Sequence, residues 1–140
     1  MSVPVAVLLG FAGWTLSTLV LTIGTRRIGS IAAGKAEPKD FRADVPHGSE
    51  RYRQAMRAHA NCVENLPVYG AVVLAIVATG VEAEILDTLA LVFLAARVVQ
   101  TTVHVVPPLT NFWVSIRFTF FSVQLICMAW MGAYVALEAV

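Results

Sequence analysis

This sequence is short of charge. Of its 140 residues only 14% are Asp, Glu, Lys or Arg, while 58% are hydrophobic and the mean hydropathy is +0.74. A water-soluble domain carries about a quarter of its residues as charged side chains, so a soluble globular core is excluded. The net charge of +1 gives no sign of nucleic-acid binding, which needs a concentrated basic face on a soluble module. The two cysteines, Cys62 and Cys127, sit in apolar stretches and define no disulfide framework. His47, His59 and His104 show no zinc spacing with either cysteine, so no metal is expected. A Gly-rich phosphate loop and a serine-centred hydrolase motif are both missing. No basic region precedes the first apolar run, Val3 to Ile23. That run also exceeds the ~7–15 residues of a signal-peptide core, and it reads as a retained transmembrane helix.

What is present is four long apolar segments. Residues 1–140 form one domain, with helices expected near 4–25, 50–79, 83–105 and 110–137. Pro4 suits a first helical turn, and Gly10, Gly13 and Gly24 offer close-approach points to a neighbouring helix. Arg26-Arg27 are expected to end helix 1, either as a positive stop signal or as a clamp for an anionic ligand. The connection 26–49 holds glycine, proline and mixed charge and reads as the one long solvent loop. Ser49-Glu50 is a start signal for helix 2, Pro67 predicts a kink within it, and Pro107-Pro108 close helix 3. Eight of the ten basic residues lie between Arg26 and Arg57. The positive-inside bias therefore puts this loop in the cytoplasm and both termini on the other side. The fold class is an all-α integral membrane protein, a multi-pass up-down bundle of four transmembrane helices.

Polar groups inside the spans are few and grouped. Arg53, Arg57, Asn61 and Glu64 are four, four and three residues apart, which places them on one face of helix 2. Arg97, Gln100 and His104 share a face of helix 3, and Arg117 lies about two turns into helix 4. With the topology above, these residues occupy one slab on the cytoplasmic half. Intramembrane charge is costly without partners. Two arrangements answer that cost: Glu64 paired with Arg57 or Arg97 as a structural tie, or a polar chamber holding a ligand. Six arginines at this level against Glu64 make the chamber net positive and suited to a small polyanion.

The string Arg57-Ala-His-Ala-Asn61-Cys-Val-Glu64-Asn-Leu-Pro67 resembles the signature of the MAPEG superfamily, membrane-associated proteins in eicosanoid and glutathione metabolism. Arg26-Arg27, Arg97 and Arg117 also fall where that family has counterparts, and the likeness is to a bacterial-type microsomal glutathione transferase. The resemblance implies a homotrimer, with glutathione bound between protomers near the cytoplasmic face. It implies that Arg57, Asn61 and Glu64 hold the tripeptide, that Arg26 or Arg27 reaches its carboxylates, and that Arg117 is the catalytic residue that activates its sulfur. The remaining candidates for glutathione contact are Arg53, Arg97, Gln100 and His104. Departures are visible: Gln100 and His104 stand where leukotriene-synthase-like members carry tyrosines, and Phe118 replaces a serine of prostaglandin-synthase-like members. The implied function is thus a glutathione S-transferase or peroxidase acting on hydrophobic electrophiles that arrive from the bilayer. The alternative is a non-catalytic, lipid-presenting protein of the same architecture.

Overall fold

The computed structural model describes residues 1–42, 45 and 47–139. Ala43, Asp44 and Pro46 of the expected long connection, and Val140, lie outside the described residues. Four helices, α1 (Val3–Ala32), α2 (Glu50–Thr79), α3 (Glu84–Val105) and α4 (Asn111–Glu138), are each long and apolar enough to cross a membrane. The chain is an integral, multi-pass membrane protein, and no strand occurs among the described residues. A short 3-10 turn, Pro38–Asp40, lies between α1 and α2.

The ends of the helices follow from local chemistry. Ser49 Oγ accepts the Tyr52 amide at 3.3 Å and starts α2, and Gly80, at φ 68°, ends it. Thr110 Oγ1 accepts the Trp113 amide and starts α4. Helix α1 departs from expectation. Arg26-Arg27 do not terminate it: the helix continues to Ala32, and the connection begins at 33 rather than 26. The stop is supplied by Gly34 at φ 65°, where Lys35 N–H reaches the Ser30 carbonyl and Gly34 N–H the Ile31 carbonyl, both at 2.9 Å. This is the paired closure that a left-handed residue allows at a helix end.

Within α1, Leu19–Gly24 widens into a π-helical turn. Thr15, Thr18, Thr22 and Thr25 all donate their hydroxyls back to main-chain carbonyls of the preceding turn. Such back-bonding competes with the helical ladder and loosens it. Gly24 suits this turn, because a Cβ would sit 3.3 Å from the Leu19 carbonyl oxygen, a tight contact that needs a shift of the backbone. Of the other glycines, Gly10 faces Leu94, whereas Gly13 meets nothing.

The core is an aromatic stack shared by three helices. Tyr69 of α2 stacks on Phe93 of α3 at 4.3 Å between centroids, and Phe11 of α1 meets Phe93 edge-on at 5.2 Å. The Tyr69 hydroxyl donates to the Pro4 carbonyl at 3.3 Å, tying α2 to the first turn of α1. Cys127, Met128, Met131 and Val135 bring α4 onto the same core. The most extensive packing is between α3 and α4, and that pair carries the polar groups considered next.

Candidate functional site

The site starts from a defect in α3. An α-helical carbonyl is served by the N–H four residues on, which for Val103 and His104 means residues 107 and 108. Both are proline, and proline has no N–H. The two carbonyls are therefore left open at the C-terminal end of the helix, where the peptide dipoles also concentrate negative potential. Arg117 of α4 fills the gap, donating Nε to the Val103 carbonyl at 3.2 Å and Nη2 to the His104 carbonyl at 3.4 Å. Nη1 makes no hydrogen bond to the protein among the described residues.

Two glutamines brace this arrangement. Gln124, fully buried, donates Nε2 to Gln100 Oε1 at 3.0 Å and to its own helix at Phe120 O. Gln100 in turn donates Nε2 to the Arg117 carbonyl at 3.3 Å. The chain Gln124–Gln100–Arg117 thus sets the rotation of α4 against α3. Gln124 was not among the residues singled out from the sequence. Its signal was there: a glutamine in an otherwise apolar run, seven residues after Arg117, and therefore on the same helical face.

Arg57, Asn61, Gln100, His104 and Arg117 converge on a cleft of about 300 Å³ between α2, α3 and α4. Leu109, Val114, Phe118 and Phe121 form its apolar side. The cleft combines two guanidinium groups, two amides and an imidazole with an aromatic wall. It suits a ligand that is anionic at one end and apolar at the other.

Five other candidates do not border this cleft within one protomer. Arg97 is 1% exposed and turns into the core, its Cζ 5.4 Å from the Phe11 ring centroid. Its Nε and Nη2 have no hydrogen-bond partner. The guanidinium of Arg97 thus lies over the Phe11 ring of α1 and not in the cleft that Gln100 and His104 line. Arg53 and Glu64 are exposed on the outer side of α2. The structural tie expected of Glu64 does not form: it makes no ion pair within 4 Å with Arg57 or Arg97 among the described residues. Arg27 is committed locally, donating Nε to Tyr52 Oη at 2.7 Å and lying 5.4 Å from the Phe41 ring centroid. Arg26 borders a separate cleft under the α1–α2 connection.

The sequence model of the MAPEG family matches residues 4–137, all four spans included. The chain belongs to the MAPEG family. No curated protein and no solved structure matches it. MAPEG membership places the chain among membrane proteins of glutathione- and eicosanoid-type metabolism, a family whose members generally bind glutathione.

Proposed function

We propose that this chain is a membrane-bound glutathione S-transferase, with glutathione-dependent peroxidase activity as a second use of the same site, and that it works as a homotrimer. The observation that carries the reading is the convergence of Arg57, Asn61, Gln100, His104 and Arg117 on one cleft, next to an exposed and unpaired Glu64. An exposed carboxylate at membrane level is costly in lipid. A second copy packed against the outer face of α2 would remove that cost and enclose the ligand. The cleft of about 300 Å³ lies at the low end of the ~300–1,000 Å³ typical of ligand pockets, which fits a site completed by a neighbour.

Glutathione, when bound, supplies the sulfur nucleophile. In this reading Arg57 and Asn61 hold a carboxylate and a peptide group, while Glu64 faces the ammonium. Arg117 presents Nη1 to the sulfur and favours the thiolate by proximity of its charge. Gln100 and Gln124 hold the Arg117 main chain in place. Phe118 and Phe121 give the electrophile an apolar approach from the bilayer. Arg26, Arg27, Arg53 and Arg97 are assigned no contact within the protomer; a neighbouring copy is the route by which Arg53 would reach the ligand. The α1–α2 connection is placed in the cytoplasm and both termini outside.

The competing reading is a non-catalytic, lipid-presenting protein, and one observation favours it. Arg117 already has a structural task on the Val103 and His104 carbonyls, so its presence does not by itself require catalysis. Thiolate absorbance in the ultraviolet separates the two readings when detergent-purified protein is mixed with glutathione at neutral pH. The transferase reading expects a thiolate signal that is kept in Cys62→Ala and lost in Arg117→Ala. Glutathione binding without any thiolate signal would favour the non-catalytic protein.

A further inference from the structure

A guanidinium can favour a thiolate by its charge, but it cannot take the proton that the thiol gives up, because it is already protonated. We infer that His104 takes this proton and is the general base of the cleft. This role rests on the glutathione reading above and goes beyond it, since it names where the thiol proton goes.

The composition of the cleft leaves one acceptor for a proton. Arg57 and Arg117 are cations with no basic site, and the side-chain amides of Asn61 and Gln100 do not titrate near neutral pH. The rest of the wall is apolar. Glu64 is exposed on the outer side of α2 and does not line the cleft. Among the described residues that line it, His104 is thus the single Brønsted base, and imidazole is the side chain best matched to proton transfer near pH 7.

The setting of the ring fits this use. His104 lies in the last turn of α3 and is 9% exposed. Its Nδ1 is buried and has no hydrogen-bond partner, whereas a histidine that only packs usually spends a buried ring nitrogen on a neighbour. The residue is fixed through its main chain instead. Arg117 Nη2 donates to the His104 carbonyl at 3.4 Å, at the break where Pro108 supplies no N–H. The cation that would favour the thiolate and the base that would receive its proton are therefore joined at one residue.

The proton balance is simple. The S–H bond breaks with its electron pair left on sulfur, and the proton passes to a ring nitrogen of His104. Arg57 on α2, Arg97 on α3 and Arg117 on α4 all act on the ring electrostatically. The thiolate formed in the same step offsets the new positive charge among them. When sulfur bonds to carbon of the electrophile, the electron pair displaced onto the electrophile takes the proton back from His104. The imidazole returns to its neutral form, and no proton need cross the cleft to water.

The test counts protons. The full chain, purified in detergent, is mixed with glutathione at neutral pH in weak buffer. Thiolate is read by ultraviolet absorbance and released protons by an indicator dye, with S-methylglutathione, which has no thiol proton, as the baseline. The unaltered protein should gain the thiolate signal and release far less than one proton per thiolate. His104→Asn should slow the appearance of the signal by about a hundredfold and release one proton for each thiolate that does form. Imidazole added to the buffer should restore part of the rate in His104→Ala, which a merely structural role would not allow. His59→Asn, outside the cleft, should match the unaltered protein. A full proton released per thiolate by the unaltered protein overturns the role of His104 and leaves the glutathione reading standing. Proton retention unchanged in His104→Asn does the same. Absence of any thiolate signal in the unaltered protein overturns both.

Discussion

Arg117 serves the carbonyl of Val103 in place of the N–H that Pro107 lacks, across 3.2 Å between two helices. The same side chain is the candidate thiolate stabiliser. In the proposed reading a structural bond and a catalytic charge are carried by one guanidinium, so mutation of Arg117 alone reports both together.

The two roles separate in a double-mutant cycle. Arg117→Ala should destabilise the protein by about 1–3 kcal/mol, the cost of leaving buried carbonyls bare. In a Pro107→Ala background, where α3 regains a main-chain donor, the penalty should shrink by about 1 kcal/mol. Thermal unfolding in detergent measures the coupling. The thiolate signal should stay absent in Arg117→Ala on either background. A signal restored together with stability would show that Arg117 acts on glutathione only through the fold.

Gln124→Leu should cost about 1–3 kcal/mol, because Gln100 Oε1 then keeps no donor in a buried position. The double change Gln100→Leu/Gln124→Leu should be more stable than either single variant, since both halves of the pair leave together. Unfolding midpoints of the three variants decide this. Additive losses would show that the two amides do not act as a unit.

Glu64 is exposed and unpaired in the protomer, so Glu64→Gln should leave protomer packing intact. Glutathione affinity should fall about tenfold or more, the scale of a lost charge-assisted hydrogen bond. Isothermal titration in detergent reads the change. Unaltered affinity in a correctly assembled protein would remove Glu64 from the ligand set.

Gly24→Ala should destabilise α1, because its methyl would press on the Leu19 carbonyl oxygen at 3.3 Å in the π-helical turn. Gly13→Ala, which meets open space, should be neutral or stabilising by up to ~1 kcal/mol, as alanine is the better helix former. The pair of unfolding temperatures checks both statements. Equal shifts would mean that the turn relaxes to an ordinary helix at no cost.

Much of the fold could be read directly from the chain. Helix α2 runs over the expected 50–79, and α3 and α4 begin and end within a residue of expectation, because apolar length and capping residues are local signals. Arg57, Asn61, Gln100 and His104 could also be named from their spacing, and Arg117 as the one cation within helix 4. What hydropathy could not order was direction. Lipid and protein core are equally apolar, so no periodicity distinguishes the face of α1 that packs from the face that meets acyl chains. For the same reason nothing in the apolar pattern of α3 showed that Arg97 would turn into the core toward Phe11 and away from Gln100 and His104.

Local chemistry by itself determined that there are four membrane-crossing helices, where most of them stop, and which few polar side chains they carry inside the bilayer. Only packing decided that Arg97 turns to Phe11 while Arg117 reaches the carbonyls orphaned by Pro107 and Pro108. Packing likewise decided that Gln124 braces Gln100 and through it the Arg117 main chain, and that Arg26 lines a cleft of its own. Helix length and caps depend on neighbouring residues along the chain, whereas the partner of a buried charge depends on which helix lies opposite.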